Sequence, residues 1–67
     1  MTGVVARVFP EKGFGFIKED GSNQEFFFHR SAVRGSIFEN LTRGTKVEFD
    51  EEDSSKGPRA VDIRTRG

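Results

Sequence analysis

The stretch that most constrains the fold is Gly13-Phe14-Gly15-Phe16, in which glycine and phenylalanine alternate. Successive side chains of a β-strand point to opposite faces, so the two phenylalanines would share one face and the two glycines the other. Glycine weakens a strand and is usually found there where the backbone bends or another segment approaches closely. The run therefore predicts a strongly curved strand with a small-residue inner face, as small β-barrels require.

A second aromatic run, Glu25-Phe26-Phe27-Phe28-His29, follows a turn sequence with Asp-Gly at its centre. By the same alternation Phe27 and His29 share one face, while Phe26 and Phe28 point inward. If this strand pairs with the one before it, their outer faces merge into one surface. That surface would carry four rings and two lysines: Phe14, Phe16, Phe27, His29, Lys12 and Lys18.

Phenylalanine is usually buried, so the simplest alternative is that all eight belong to the core. Other residues already supply a full set of inward positions, in addition to parts of the first strand: Ile17, Phe26, Phe28, Val33, Leu41, Val47, Phe49, Val61 and Ile63. Leaving one phenylalanine exposed forgoes roughly 1.5–3 kcal/mol, in a domain whose total stability is only about 3–10 kcal/mol. Clustered exposure marks a binding surface, and base stacking on such rings is worth about 1–3 kcal/mol each. The outer rings therefore predict a stacking platform for nucleic-acid bases.

The rest of the chain supplies three more strands. Residues 3–9 are rich in β-branched residues and predict a first strand that ends at Pro10. Imperfect alternation predicts a bend or bulge in it, with Arg7 exposed. Residues 45–50 alternate cleanly, and residues 60–65 form the last strand, with Val61 and Ile63 inward. The segments 34–44 and 51–59 are predicted connections. In the first of them Leu41 packs on the barrel end, whereas Phe38 is not expected to.

Five short strands with no more than a helical turn at residues 31–33 predict an all-β fold. Their number and length favour a single domain, residues 1–67, folded as a five-stranded antiparallel Greek-key barrel of the oligonucleotide/oligosaccharide-binding type.

Charge and composition limit the functions available. Eleven basic and eleven acidic residues cancel, whereas nucleic-acid binders usually carry a basic excess. The acidic residues concentrate between positions 48 and 53, however, so a neutral total can hide two faces of opposite sign. Lys56 and Arg59 lie in a connection expected near the platform, and both are predicted to contact phosphate.

Several classes of function are not expected. His29 is the only histidine and cysteine is absent, so a metal site is improbable, and no motif forms a catalytic pair. We therefore predict no enzymatic activity, no cofactor and no small-molecule substrate. No apolar run approaches the roughly 18 residues of a membrane span and no signal-peptide pattern is present, so a cytoplasmic protein is the default.

The chain contains two paired motifs, Lys12-Gly-Phe-Gly-Phe-Ile17 and Phe27-Phe28-His29, that resemble those of the cold-shock domain family. The resemblance covers essentially the whole chain. Residues at further similar positions are Gly3, Ser31, Ala32, Val33, Gly44, Val47, Glu48, Phe49, Lys56, Gly57 and Pro58. The resemblance implies a five-stranded barrel that binds single-stranded RNA and DNA with little sequence preference. It also implies a role in opening RNA secondary structure, as an RNA chaperone or a modulator of transcription or translation.

The resemblance also implies which residues contact nucleic acid. Residues matching the family's contact positions are Lys12, Phe14, Phe16, Phe27, His29 and Phe38. Lys56 matches a basic position in the loop before the last strand. The chain departs from the family pattern at Arg7, where a tryptophan preceded by lysine is usual, and at Arg30, where an aromatic residue or glutamine follows the histidine. A guanidinium plane can stack on a base or pair with phosphate, so both arginines are predicted contacts. Binding is expected to be weaker and more electrostatic than in typical members of the family.

One alternative from another class remains open. Small five-stranded barrels of the SH3 type hold peptides on an aromatic patch of this kind. Such grooves are usually lined by tyrosine and tryptophan, both of which are absent from this chain. The composition therefore favours single-stranded RNA or DNA as the partner, bound by a monomer.

Overall fold

The computed structural model describes residues 1–35 and 38–66. Parts of the predicted connection 34–44, including Ile37, and the last residue of the predicted domain lie outside the described residues. Five strands follow one another along the chain: β1 (Thr2–Phe9), β2 (Phe14–Glu19), β3 (Glu25–His29), β4 (Lys46–Ser54) and β5 (Gly57–Thr65). Two 3-10 turns, Arg30–Ala32 and Phe38–Asn40, lie between β3 and β4.

The strands close into a barrel in the order β1-β2-β3-β5-β4. Four of the five contacts around the ring are antiparallel, whereas β3 and β5 run parallel and meet where Phe27 pairs with Arg59. The all-β barrel of the oligonucleotide-binding type is confirmed. The antiparallel barrel predicted from the sequence thus contains one parallel contact, at the β3–β5 seam.

The predicted connection 51–59 is largely a β-hairpin. β4 continues to Ser54 and β5 begins at Gly57, so only two residues separate the strands. The Ser54 hydroxyl donates a hydrogen bond of 2.6 Å to the Gly57 carbonyl, and Gly57 has a φ of 108°, which glycine adopts without steric cost. The acidic side chains of this stretch indicate only that it is exposed to water. The prediction was wrong because an exposed strand carries such side chains as well as a loop does.

Two irregularities break the alternation of side chains. In β1 the register shifts between Val5 and Arg7, so the bulge expected in this strand is present. In β5 a second shift lies beside Asp62, whose φ is 55°. Ala60 and Ile63, three residues apart, are consequently both buried, and Val61 is only half-buried. The prediction that Val61 points inward is therefore wrong, and Ala60 takes its place.

The barrel interior is filled by apolar side chains from every strand, by Phe38 of the second 3-10 turn, and by Val33 and Leu41, each of which directly follows a 3-10 turn. The buried set is Val5, Ile17, Phe26, Phe28, Val33, Phe38, Leu41, Val47, Phe49, Ala60 and Ile63, with Val8 and Ala32 packed against it. Gly15 faces this core, and a Cβ there would lie 2.6 Å from the Arg7 carbonyl oxygen and 2.7 Å from the Phe28 ring. The close backbone approach predicted for this glycine is thus present.

Phe38 is a correction to the sequence prediction. Only 6% of its surface is exposed, and its ring meets that of Phe28 edge-on with 6.2 Å between centroids. The 3-10 turn explains this placement, because the Leu41 amide donates to the Phe38 carbonyl at 3.1 Å. The two side chains are three residues apart, so they lie on one side of the turn and close the same end of the barrel.

Candidate nucleic-acid interface

The strand register arranges the candidate residues in two rows that run across the strands. One row joins Phe9, Phe14 and His29 through β1, β2 and β3. The other joins four residues through β1, β2, β3 and β5: Arg7, Phe16, Phe27 and Arg59. Register pairs lie about 4.8 Å apart, so the second row spans roughly 14 Å along the barrel surface. The sequence predicted the faces of β2 and β3, and the register brings them together with β1 and β5.

Four phenylalanines in these rows form one connected surface, called here the aromatic cluster: Phe9, Phe14, Phe16 and Phe27. Centroid separations are 5.0 Å for Phe9–Phe14, 5.6 Å for Phe14–Phe27 and 5.9 Å for Phe16–Phe27. Phe27 is 37% exposed, and the other three rings are half-buried. The cluster is therefore supported from below by the barrel and open to solvent from above.

Phe9 is the member of the cluster that the sequence reasoning missed. Its parity in β1 could not be assigned, because strict alternation was expected to fail somewhere in that strand. The bulge between Val5 and Arg7 turns Arg7 and Phe9 outward, opposite Phe16 and Phe14. The signal that could have identified Phe9 is its position. It directly precedes Pro10, at the end of the strand before the glycine-phenylalanine run.

Arg7 lies across the cluster rather than beside it. Its guanidinium carbon is 4.9 Å from the centroid of the Phe16 ring, within the range of a cation–π contact. Its Nη2 atom is 3.0 Å from Oε1 of Glu25 on β3. The side chain thus crosses β2, covers part of Phe16 and presents an exposed guanidinium to solvent.

His29 is held in a defined orientation at the edge of the cluster. Its Nδ1 accepts a hydrogen bond of 3.1 Å from the Ser31 amide, capping the first 3-10 turn, and lies 2.9 Å from the Ser31 hydroxyl. A neutral ring that accepts at Nδ1 carries its hydrogen on Nε2. The exposed ring can therefore stack on a base or donate from Nε2 to an anion.

Arg30 and Phe38 form a separate pair next to the cluster. The guanidinium carbon of Arg30 is 5.7 Å from the centroid of the Phe38 ring. Arg30 is exposed, whereas Phe38 belongs to the core. The predicted contact residue Phe38 is thus not part of the exposed aromatic surface, and Arg30 occupies the solvent side of its ring.

The remaining predicted contacts lie around the rim. Lys12 is exposed in the turn between β1 and β2, where its amide and that of Gly13 donate to the Phe9 carbonyl at 3.0 and 2.9 Å. Phe27 and residues 54–59 line an open groove of about 530 Å³, which places Lys56 and Arg59 next to the cluster. Arg59 also donates from Nε to Oε1 of Glu52 at 2.9 Å. The proximity expected for this segment is therefore present.

Across residues 1–35 and 38–66 no three histidine, aspartate or glutamate side chains are grouped so that they could hold a metal ion. In the same part of the chain no helix is long and apolar enough to cross a membrane.

Comparison with known families identifies the chain. The model of the 'Cold-shock' DNA-binding domain family matches residues 1–66. The chain belongs to the cold-shock domain family. This confirms the identification made from the paired aromatic motifs. Cold-shock domain proteins bind nucleic acids and are not enzymes, in agreement with both predictions.

Individual relatives of the cold-shock family align over nearly the full chain. Cold shock-like protein CspI of Escherichia coli is 44% identical over 63 residues, covering 94% of this chain and 90% of the relative. Cold shock-like protein CspE of Bacillus anthracis is 43% identical, covering 94% and 92%. A cold shock-like protein of Aquifex aeolicus is 40% identical over 57 residues, covering 85% and 81%.

Proposed function

We propose that this protein binds single-stranded RNA and DNA with little sequence preference, by stacking bases on the aromatic cluster. The observation that supports this most directly is the connected surface of four phenylalanine rings, whose most exposed member is Phe27. A stacked ring contacts the face of a base, which all four bases share, rather than the edges that distinguish them. Weak sequence discrimination follows from this mode of contact.

The groups around the cluster supply the electrostatic part of the interaction. Lys12, Lys56 and Arg30 are exposed beside it, and His29 offers a ring and a donor at its edge. Arg7 and Arg59 end the row that contains Phe16 and Phe27. Phosphate contacts of this kind position a strand without reading its sequence.

In the cell, we propose, the protein acts as a cytoplasmic monomer that keeps RNA single-stranded, as an RNA chaperone or a modulator of transcription or translation. A ligand that binds only the open form of an RNA stabilises that form by mass action. A small barrel that stacks bases without sequence preference can therefore open many weak hairpins. A fluorescence-quenched RNA hairpin should open as protein is added, and a hairpin that stays closed at saturating protein would contradict this role.

Titration with a short oligothymidine tests the binding itself. We expect the backbone amide signals of Phe14 and Phe27 to shift progressively, while that of Val47, buried on the far side of the barrel, stays nearly constant. An absence of shifts at near-physiological salt would disprove the proposed function. A proline-rich peptide serves as the control for the SH3-like alternative, which no feature of the described residues favours, and it is expected to produce no shifts.

A further inference from the structure

The two arginines that end the row through Phe16 and Phe27 are both held by carboxylates. Arg7 pairs with Glu25 at 3.0 Å. At the opposite end, Nε and Nη2 of Arg59 both donate to Oε1 of Glu52. Glu25 lies on β3, two residues before Phe27, and Glu52 lies on β4 opposite Arg59. The row is therefore a pair of phenyl rings between two neutralised guanidinium groups.

The lysines at the rim differ from these arginines. Within the described part of the chain, neither Lys12 nor Lys56 forms an ion pair with a carboxylate. Their charges are available to a phosphate at once. Arg7 and Arg59 already direct side-chain donors at Glu25 and Glu52. A phosphate can accept from those donors only if it displaces the carboxylate.

Displacement is feasible because both pairs are exposed. The Arg7 and Glu25 side chains are 58% and 39% exposed, and those of Arg59 and Glu52 are 50% and 49% exposed. An ion pair in such a setting is weak, corresponding to about a two- to fivefold effect on an equilibrium constant. A phosphodiester offers acceptor oxygens with the same fork geometry that a carboxylate offers to a guanidinium.

We propose that Glu25 and Glu52 limit the affinity of this protein for nucleic acid by competing with phosphate for Arg7 and Arg59. Binding is then an exchange of carboxylate for phosphate at each end of the row. Release of Glu25 also frees Arg7 from its position over Phe16, so the same exchange exposes more of that ring. The inference rests on the proposed function, since it concerns how the same surface takes up a strand.

The exchange has a consequence for salt dependence. Each phosphate neutralised on a single strand contributes about −0.7 to the slope of log K against log salt, because a bound cation is released. Salt also weakens the competing arginine–carboxylate pair, and this offsets part of the salt dependence. Replacing the carboxylate by an amide removes the offset, so the slope should steepen by up to about 0.7 for each site.

The test is a titration of oligothymidine into the wild type, Glu25→Gln, Glu52→Gln and the double variant at several salt concentrations. Each single variant should bind about two- to fivefold more tightly at low salt, with a steeper salt slope, and the two gains should multiply. Glu48→Gln is the matched control. It removes the same charge from a half-buried glutamate whose side chain is 47% exposed and pairs with Arg64 at 3.8 Å, outside the row. Its affinity should stay near that of the wild type.

A double-mutant cycle separates exchange from simple repulsion. In an Arg7→Ala background the gain from Glu25→Gln should disappear, because no guanidinium remains to be released. A gain of the same size in that background, or equal gains from Glu48→Gln and Glu25→Gln, would overturn the exchange. Thermal unfolding of each variant checks that the barrel is retained. Absence of wild-type binding would overturn the proposed function itself, whereas wild-type binding with unchanged variants would overturn only the exchange.

Discussion

At the scale of single residues, Phe27 and Phe28 show how the strand divides its side chains between two roles. They are neighbours in β3, yet Phe27 is among the most exposed apolar side chains described and Phe28 is fully buried. Phe28 contacts the position of Gly15 so closely that a methyl group there would collide with its ring. One residue therefore serves the surface and the next serves the core.

Alanine substitutions at these two positions should affect different properties, binding for Phe27 and stability for Phe28. Phe27→Ala is expected to weaken oligothymidine binding by an amount equivalent to about 1–3 kcal/mol and to change stability little. Phe28→Ala should lower the free energy of unfolding by about 3–5 kcal/mol, a large share of what a domain of this size has. Chemical denaturation and fluorescence titration measure the two effects. A Phe27→Ala variant that unfolds while its binding is intact would refute the division of roles.

Phe38 provides a second residue-scale test, because family resemblance predicts a contact and the structure places the ring in the core. We expect Phe38→Ala to lower the free energy of unfolding by about 3 kcal/mol, as for a buried aromatic side chain. Arg30→Ala, which removes the exposed partner of the same pair, should cost much less stability. Denaturation curves for the two variants decide the matter, and equal stability losses would contradict the burial argument.

At the scale of elements, the β4–β5 hairpin contains an irregularity at Asp62. Its φ of 55° lies in the left-handed region, which asparagine and aspartate tolerate better than other residues with side chains. The shift lets Ala60 and Ile63 both face the core, and Asp62 pairs there with Arg34 and Arg64. The bulge thus sets the register of β5 against β4 for the residues beyond Val61.

Two substitutions at Asp62 separate its backbone role from its charge. Asp62→Asn and Asp62→Val both remove the ion pairs, but only valine is strongly disfavoured at positive φ. The valine variant should therefore be less stable than the asparagine variant by about 1–3 kcal/mol. Urea denaturation measures the difference. Equal stabilities would show that the strand adjusts its backbone without cost.

At the scale of the whole molecule, the protein is a small barrel with no net charge. Eleven cationic and eleven anionic residues leave no net charge to attract a polyanion. Binding must then come from local contacts made where the rings and rim cations lie together. The exposed acidic run of β4 is placed on the strand farthest in the ring from β2 and β3, so it does not cover the aromatic cluster.

Salt titration tests this balance. If about two to four cations contact phosphate, log K for oligothymidine should fall against log salt with a slope between about −1.4 and −2.8. Lys56→Gln should make the slope shallower by about 0.7 and leave Phe14 and Phe27 stacking in place. Affinity measured at four or more salt concentrations gives the slope. A slope near zero would mean that stacking alone holds the strand.

Much of the surface could be predicted because it depends on local parity. In β2 and β3 the alternation of side chains is unbroken, so the faces of Phe14, Phe16, Phe27 and His29 follow from adjacent residues alone. The same reasoning failed for Val61 and left Phe9 unassigned, because a single inserted residue reverses parity for everything beyond it. The position of Phe38 also could not be read from its polar neighbours, since the 3-10 turn that directs it inward forms against the barrel end.

The sequence by itself thus determined the fold class, the family and the two central strands of the surface, since these rest on residue type and short-range periodicity. Only the tertiary structure decided which side chains complete the surface. Arg7 meets Glu25 across 18 positions of sequence, and Arg59 reaches Phe27 through a parallel strand contact. Such pairings depend on barrel closure and strand register, and the arginine side chain by itself does not indicate which carboxylate it will contact.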